Sequence, residues 1–529
     1  MSDRPDEVLD LFVIGGGING AGIANDAAGR GLSVGLCEQG DLAGATSSAS
    51  SKLIHGGLRY LEHHEYRLVR EALREREVLM AKAPHIIWPL RFILPHRPHL
   101  RPAWMLRAGL FLYDHLGKRK RLPGSRGIRL DHRQGLAPSI THGFEYSDCW
   151  VDDARLVTLN AIQARDNGAE ILVRTRCIDA QERDGLWELT LEETEGGARL
   201  TRRCKTLVNA AGPWVESVVR GQAHRHSRYG VRLIQGSHLI VPRLNHDERA
   251  YILQNTDKRI VFVLPYEEDF SLIGTTDRRY EGDPSGIEAS QEEIDYLLTV
   301  VNAHFRTQLS RESVIRTFSG VRPLCDDESA DPSVMTRDYT LDLDTHGAPL
   351  LSVFGGKITT YRKLAEAALE ALSPHLPEMR PDWTAEALLP GGEIGDQAAF
   401  ETRLLADYPY LDTGQARRFA RTYGTLCREF LDGRDSQAAL GEAFGAGLTA
   451  AEVDYLVERE WARSAEDILW RRTKLALRLT ASEQQRLADY LETATAHGTT
   501  RPSPTEASPR RTPPERAASG SSRGSSRGS

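Results

Sequence analysis

The segment LFVIGGGING at residues 11–20 most constrains what this chain can fold into. Four apolar residues predict a buried strand, and the glycines after them are typical of the turn between a strand and a dinucleotide-binding helix. Gly15 permits the sharp turn, Gly17 permits close approach of the backbone to a pyrophosphate, and Gly20 permits close helix–strand packing. The predicted helix over 21–30 offers N–H groups and the positive end of its dipole to phosphate, with Ile18 and Asn19 at its start.

A second apolar run at 32–37 ends in Glu38. A carboxylate at this distance from the glycine turn is suited to accept hydrogen bonds from ribose hydroxyls. Strand, turn, helix, strand and acid occur in the required order, which is more specific than a glycine pattern alone. The segment therefore predicts a nucleotide site, and an ordinary glycine-rich turn is the alternative.

The bulk composition excludes several classes of protein. The 529 residues are enough for two to three domains, and the net charge of −7 predicts no nucleic-acid partner. The six cysteines form no CxxC pair and show no zinc spacing, so we expect a reducing compartment and no metal. The polar start MSDRPDEVLD is not a signal peptide, and no apolar run reaches the ~18 residues of a spanning helix. Any membrane contact is therefore expected to be peripheral.

Two further segments carry candidate nucleotide contacts. The loop at 40–52 is rich in small and hydroxyl residues that are suited to a diphosphate and a ring edge, namely Thr46, Ser47, Ser48 and Lys52. A flexible linker is the alternative, but the ordered apolar segment LIHGGLRY that follows favours a site. Charged residues at i,i+4 spacing then predict a helix over 66–82 with a solvated face and no chemistry. The run TLVNAAGPW at 206–214 predicts a strand that ends in small residues, with Ala211 and Gly212 near the nucleotide. A plain strand-to-helix turn is the alternative there.

Short β-rich runs at 231–241, 250–254, 260–265 and 270–275 predict an antiparallel sheet that interrupts the nucleotide domain and caps the ligand. His238 lies in this sheet, and a neutral histidine is suited to accept a hydroxyl proton. Cationic side chains occur beside glycine turns and strand ends, and together they would suit a phosphate or carboxylate. These cations are Arg59, Arg322, Arg337 and Lys357.

The stretch 86–129 combines aromatic residues with many basic ones and includes a predicted helix over 103–116. Such a composition suits an anionic membrane surface, and a buried helix with a solvated basic loop is the equal alternative. We predict three regions: a discontinuous nucleotide-binding domain at 1–390 with the cap inserted at roughly 60–145 and 225–340, a helical domain at 391–496, and a disordered tail at 497–529.

Several motifs together resemble the aerobic, respiratory FAD-dependent glycerol-3-phosphate dehydrogenases from Asp10 to about Trp470. They are VIGGGINGAGIANDAAGRGLSV, ATSSASSKLIHGGLRYLE, RPHLRPAWM, FEYSDCWVDDARL, SGVRPLCDDES, LLSVFGGKITTYRKLAE and EWARSAEDILWRRTK. The resemblance implies an α/β fold with a Rossmann-type FAD-binding domain, a D-amino-acid-oxidase-like β-sheet cap and a C-terminal all-α domain. It also implies non-covalent FAD, oxidation of sn-glycerol 3-phosphate and transfer of electrons to ubiquinone or another membrane quinone. The implied location is peripheral, on the cytoplasmic face of the inner membrane, and a homodimer is compatible with it.

The resemblance assigns roles to individual residues. Gly15, Gly17, Gly20 and Glu38 match the FAD fingerprint, and Thr46, Ser47, Ser48 and Lys52 match the flavin and diphosphate loop. Arg59, Tyr60, Arg322, Arg337 and Lys357 match the substrate contacts, and Gly356, Lys357, Ile358 and Thr359 match the turn beneath the flavin. His238 is the first choice of catalytic base, with Arg322 and Lys357 as further catalytic groups and His55 as the second choice of base.

Three other functions remain open from the sequence. An oxidase of the same substrate would pass the electrons to oxygen, and a flavoprotein of the same fold would oxidise an amine or amino acid instead. A non-catalytic nucleotide-binding or membrane scaffold protein would bind no yellow cofactor.

Overall fold

A computed structural model describes residues 7–97, 101–117, 119–131, 134–257, 259–327 and 339–496. Two sheets organise the first part of this described chain, and helices dominate the last part. The predicted disordered tail and Arg337 lie outside the described residues.

The first sheet carries the nucleotide-binding topology. Its strands are β1 (Val8–Ile14), β2 (Val34–Glu38), β7 (Glu170–Val173), β8 (Thr175–Arg183), β9 (Leu186–Glu193), β10 (Arg199–Asn209), β17 (Thr340–Asp344) and β18 (Leu350–Phe354). The order is β17-β18-β10-β1-β2-β7, and the strands from β18 to β7 run parallel. The carboxyl ends of these parallel strands therefore meet at one edge, where α/β folds bind ligands.

The second sheet forms the cap. Its strands are β3 (Leu53–Ile54), β4 (Ile87–Pro95), β5 (Arg126–Arg129), β6 (His142–Val151), β11 (Tyr229–Pro242), β12 (Ala250–Gln254), β13 (Ile260–Tyr266), β14 (Phe270–Gly274), β15 (Arg278–Tyr280) and β16 (Arg316–Asp327). Strand β11 pairs with β14 along one edge and with β16 along the other, in register His238↔Gly274 and His238↔Phe318. The inserted cap sheet is confirmed, but it is not purely antiparallel, because β4 and β12 pair in parallel.

The helices are α1 (Ile18–Gly29), α2 (Tyr66–Lys82), α3 (Ala103–Leu116), α4 (Asp153–Asp166), α5 (Val215–Ser217), α6 (Gln291–Asn302), α7 (Tyr361–Leu372), α8 (Gln397–Asp407), α9 (Thr413–Thr422), α10 (Arg428–Leu431), α11 (Ala450–Glu460) and α12 (Ala481–Ala496). Side chains cap several of them; for example, Ser290 and Glu293 form a reciprocal capping box at the start of α6. The predicted helix over 103–116 coincides with α3.

The C-terminal helices share a hydrophobic core of their own, which includes Phe400, Phe419, Phe430 and Leu456. This region is not purely helical, since β19 (Ala443–Gly445) and β20 (Leu448–Thr449) form a short hairpin. Gly441, Gly445 and Gly447 adopt positive φ before and within this hairpin, which helical periodicity did not reveal. Among the described residues, no helix is long and apolar enough to cross a membrane.

His85 is a buried titratable group between the cap and the C-terminal helices. Neither ring nitrogen has a hydrogen-bond partner within the described chain. Burial, helped by the positive charge of Arg155, lowers the pKa of His85 to about 3. Since the ordinary histidine pKa is about 6.5, the unfolded chain binds a proton between these values that the folded chain does not.

We therefore expect His85 to make the protein less stable as the pH falls below about 6.5. His85→Leu should remove this dependence. The difference in free energy of unfolding between His85→Leu and the unmodified protein should change by about 2 kcal/mol between pH 6.5 and pH 5. Chemical denaturation at several pH values measures it, with the exposed His375→Leu as control. Parallel pH curves for the unmodified protein and His85→Leu would contradict the prediction.

Candidate functional site

A cavity of about 1610 Å³ lies between the carboxyl edge of the first sheet and the cap. Its wall is formed by the glycine turn after β1, the loop at 38–52, the turns after β10 and β18, and the cap strands β11 and β16. Every site residue predicted from the sequence borders this cavity, except Gly20, which lies beneath the turn, and Arg337, which is not described. The chain therefore brings together residues that are more than 300 positions apart.

The glycine turn is built by steric necessity. Gly15 has a φ of +113°, and a Cβ there would lie 2.5 Å from the carbonyl oxygen of Ala210. A Cβ on Gly20 would lie only 1.9 Å from the carbonyl oxygen of Gly15. Gly17 instead borders the cavity, where a Cβ would fill space at the start of α1 that a phosphate needs.

The first turn of α1 connects two other parts of the wall. The backbone N–H of Ile18 donates to Ser47 Oγ at 3.0 Å, and Asn19 Nδ2 donates to the carbonyl of Gly355 at 3.1 Å. The Oδ1 atom of Asn19 is buried and has no hydrogen-bond partner in the described part of the chain. The Oδ1 atom of Asn19 is therefore suited to accept a hydrogen bond from a bound ligand.

The carboxylate of Glu38 is held in one orientation by the backbone. Its Oε2 accepts a hydrogen bond from the N–H of Gly16 at 2.7 Å, and its Oε1 accepts one from Gly40 at 2.8 Å. Burial raises the pKa of Glu38, although these two N–H groups act in the opposite direction. Each carboxylate oxygen has a second lone pair, so Glu38 can still accept from the hydroxyls of a ribose.

The hydroxyl-rich loop is tied to the cap sheet and to helix α4. Thr46 Oγ1 donates to the carbonyl of Val321 on β16 at 2.8 Å, and Ser48 Oγ donates within the loop to the carbonyl of Ala45 at 3.4 Å. The buried ammonium of Lys52 donates to Asp153 Oδ1 at 2.8 Å and to the carbonyl of Ser48 at 3.0 Å. Asp153 thus offsets the charge of Lys52, which orders the loop; a direct contact with a diphosphate stays a prediction.

Two more strand ends complete the nucleotide side. The N–H of Ala210 donates to the carbonyl of Ile14 at 2.9 Å, which keeps Ala211 and Gly212 beside the glycine turn. After β18 the chain turns through Gly355 and Gly356, both with positive φ, and then through Lys357, Ile358 and Thr359. Helix α7 begins at Tyr361, because the residues 357–360 form a separate turn.

The cations predicted to bind substrate lie on different segments: Arg59 after β3, Arg322 on β16 and Lys357 after β18. The guanidinium of half-exposed Arg322 donates to the carbonyl of Thr276 at 3.0 Å and lies 3.5 Å from Asp277 Oδ1. The ammonium of Lys357 lies 4.4 Å from the ring centroid of Tyr60. Arg59 borders the same space, so Arg59, Tyr60, Arg322 and Lys357 share one cavity.

His238 is a neutral group in the wall. Its ring stacks on Phe318 with centroids 4.8 Å apart, and its Nε2 lies 2.9 Å from Ser51 Oγ. Burial, with the positive charges of Lys52 and Arg322, lowers the pKa of His238 to about 3. The ring can therefore accept a proton at neutral pH, but it is a weak base until a negative charge enters the cavity.

His55, the second candidate base, is oriented by its own loop. The N–H of Gly57 donates to His55 Nδ1 at 3.1 Å, which places the ring proton of the neutral form on Nε2. In this tautomer His55 offers a donor at Nε2, so the geometry favours His238 as the base. Below it, Tyr113 OH lies 2.7 Å from the N–H of Gly56 and donates to Asp148 at 2.8 Å.

Sequence reasoning missed several of these neighbours. Ser51 was part of the hydroxyl-rich loop, but nothing local connects it with a histidine 187 positions away. Asp148 lies in a buried strand within the motif FEYSDCW, and a carboxylate in such a strand was the available signal. Its partner Arg76 lies on α2, which was interpreted as a solvated face; its guanidinium is in fact buried, 2.6 Å from Asp148.

A glycine turn, an acid at the end of the second strand and a β-sheet lid over one large cavity fit the flavoprotein oxidoreductase class. The profile described as FAD dependent oxidoreductase matches residues 10–362, and that described as C-terminal domain of alpha-glycerophosphate oxidase matches residues 383–497. The chain belongs to the FAD dependent oxidoreductase family, and its cofactor is FAD.

Relatives and solved structures agree with this family. A glycerol-3-phosphate dehydrogenase of Pseudomonas aeruginosa is 61% identical over 93% of this chain and 96% of its own length. An aerobic glycerol-3-phosphate dehydrogenase of Escherichia coli is 58% identical over 92% of this chain and 97% of its own. The crystal structure of the glycerol-3-phosphate dehydrogenase from Bacillus halodurans complexed with FAD has a TM-score of 0.71 at 27% identity, covering 92% of this chain and 94% of that one.

The residues present fit FAD. Gly17 leaves space for a pyrophosphate, Glu38 is fixed for a ribose, and the buried Oδ1 of Asn19 needs a donor. The individual contacts assigned to these residues stay predictions.

Gly20 and Gly109 form a matched pair for testing the turn. A Cβ on Gly20 collides with the carbonyl of Gly15, whereas a Cβ on Gly109 in α3 meets no atom within 4 Å. We expect Gly20→Ala to raise the Kd for FAD at least about 100-fold, which is about 2.7 kcal/mol. Gly109→Ala should leave it unchanged. Fluorescence titration of the apoproteins measures both constants, and equal affinities would contradict the steric argument.

Proposed function

We propose that this chain oxidises sn-glycerol 3-phosphate to dihydroxyacetone phosphate and passes the electrons to a membrane quinone. The observation that carries the proposal is the convergence of Arg59, Arg322 and Lys357 with the neutral His238 on one cavity. The names of the two bacterial relatives support the same substrate.

Arg322 is suited to bind the phosphate group. Its guanidinium is half-exposed and is separated from Asp277 by 3.5 Å, so a dianion can replace this weak partner. Arginine binds phosphate through two parallel N–H groups, which fixes both distance and direction. Arg59, on the segment after β3, supplies a second positive charge in the same cavity.

The reaction removes a hydride from C2 and a proton from the C2 hydroxyl. Bound FAD supplies the hydride acceptor. His238 receives the proton, because its ring borders the cavity and is neutral before the reaction. Lys357 and the backbone around Thr359 provide positive potential where negative charge develops.

Arg322→Ala should separate phosphate binding from the rest of the reaction. We expect the KM for glycerol 3-phosphate to rise about 100-fold, since losing a charged hydrogen-bonding group costs about 2–3 kcal/mol. Glycerol, which lacks the phosphate, should be oxidised at an unchanged rate. Anaerobic bleaching of the flavin absorbance measures both substrates, with Arg311→Ala as control because Arg311 pairs with Asp295 at the surface. Equal losses for both substrates would exclude Arg322 from the phosphate site, and a flavin that glycerol 3-phosphate does not bleach would refute the function.

Oxygen is the second candidate acceptor, because the C-terminal part matches a domain described from an alpha-glycerophosphate oxidase. Apolar residues on the cap side favour a quinone, since Leu58, Ile252, Ile260 and Phe262 border the cavity. Simultaneous assays of hydrogen peroxide and quinone reduction in one membrane preparation distinguish the two acceptors.

Helix α3 is the proposed peripheral membrane contact, on the cytoplasmic face of the inner membrane. Trp104 and Phe111 are 74% and 63% exposed, whereas Leu110 and Tyr113 on the same helix are buried. Exposed basic side chains accompany these rings, including Arg107, Lys120 and Arg121. Aromatic rings beside basic groups are suited to the interface of an anionic bilayer.

We expect Trp104→Ser combined with Phe111→Ser to abolish most binding to vesicles that contain anionic lipid. The reason is the loss of roughly 300 Å² or more of apolar area from the contact surface. Flotation measures bound protein, and Ile315→Ser is a control, because Ile315 is also exposed but lies away from α3. Undiminished flotation of the double variant would place the membrane contact elsewhere.

A further inference from the structure

Two consecutive arginines of the C-terminal region reach the loop that follows the ribose-binding acid. Arg472 donates from Nη1 and Nη2 to the two carboxylate oxygens of Asp41, at 2.9 and 2.8 Å. Arg471 donates from Nε to the same carboxylate at 2.6 Å. The side chains of Arg472 and Asp41 are 0% and 2% exposed, so this contact is sealed from water.

Asp41 is connected to Glu38 through the backbone N–H of Gly40, which lies between them in the sequence. Glu38 Oε1 accepts its hydrogen bond from the N–H of Gly40, the residue directly before Asp41. The N–H of Ala43 donates to the carbonyl of Gly16 at 3.1 Å, which joins the same loop to the glycine turn. A shift of Asp41 therefore moves a donor that orients the ribose-binding carboxylate.

The arginines are themselves fixed by further buried charges. Arg471 pairs with Asp467, and Asp467 also accepts a hydrogen bond from Arg174 at 2.6 Å. The backbone N–H of Arg174 donates to the carbonyl of Gly40 at 3.0 Å, so this set of contacts forms a closed ring around the loop.

Arg472 also contacts the interior of the C-terminal region. Arg472 Nη2 donates to the carbonyl of Glu460 at 2.8 Å, and the carboxylate of Glu460 pairs with the fully buried Arg155. Trp470 and Arg471 also border the cavity, so the C-terminal region contributes directly to its wall.

We propose that Arg471 and Arg472 are positioning residues for FAD. Through Asp41 and Gly40 they hold the carboxylate of Glu38 in the orientation that binds the ribose. The C-terminal region thereby completes the cofactor site in addition to packing against it. A bidentate arginine is suited to this task, because its planar fork fixes the carboxylate plane as well as its distance.

Arg472→Ala tests the proposal. We expect the Kd for FAD of the apoprotein to rise about tenfold, as it would if the loop held its binding-competent position a tenth of the time. Arg472→Lys keeps the charge but loses the fork, so its Kd should lie between those of the unmodified protein and Arg472→Ala. The KM for glycerol 3-phosphate at saturating FAD should stay unchanged, because the substrate cations are held by other segments, namely the segment after β3, strand β16 and the turn after β18.

Arg418→Ala is the matched control. Arg418 makes the same two-pronged contact with buried Glu452, at 2.5 and 2.8 Å, but it does not touch the loop. This variant should lower the melting temperature of the apoprotein and leave the Kd for FAD unchanged. A purely structural role of the buried pairs predicts equal effects on FAD binding, so an equal rise in Kd for Arg418→Ala, or no rise for Arg472→Ala, would overturn the proposal.

The milder variants keep the test usable if Arg472→Ala does not fold. Asp41→Asn and Arg472→Lys should each release FAD from the holoenzyme faster than Arg418→Lys, as measured by the increase in flavin fluorescence after dilution. Release at the rate of the unmodified protein in both loop variants would also overturn the proposal.

Discussion

The close approach of helix α1 to the turn after β1 is the constraint on which the rest of the site depends. At this point the backbone of Gly20 packs against the carbonyl of Gly15, and Gly15 packs against Ala210. No side chain fits in these gaps, so the first strand, the helix and strand β10 approach one another only because these residues are glycine. The carboxyl ends of β1, β10 and β18 then face one cavity, and the cap closes it.

Buried ion pairs around the cavity determine which polar side chains are available for the reaction. Asp153 offsets the charge of Lys52, and Asp41 offsets those of Arg471 and Arg472, so these cations hold the loop in place. Arg322 lies 3.5 Å from the half-exposed carboxylate of Asp277 and remains suited to an incoming anion. His238 is kept neutral by burial, as a proton acceptor must be before the reaction. Buried ion pairs thus hold some charged side chains in structural roles and leave Arg322 and His238 for the reaction.

Sequence reasoning was most successful where local pattern and function coincide. The glycine turn, Glu38, the inserted sheet and the helices over 66–82 and 103–116 follow from periodicity and turn chemistry, which act over a few residues. The parallel pairing of β4 with β12 was not predicted, because strand direction depends on where a distant segment enters the sheet. The interpretation of α2 as a solvated face was wrong at Arg76 and Glu75, since their buried partners, Asp148 and Arg362, lie on other elements.

The sequence by itself determined the nucleotide-binding unit, the family and a set of candidate site residues, nearly all of which border the cavity. These features depend on glycines, on an acid at a fixed spacing and on apolar strands. They act through short-range sterics and hydrogen bonds, so residues close in the sequence are sufficient to predict them. Only the tertiary structure decided the charge state and role of each polar group. Whether a lysine is paired with a carboxylate, a histidine is kept neutral by burial or an arginine of the last domain holds a loop of the first depends on partners that are distant in the sequence. Burial strengthens these pairings, because water no longer screens them.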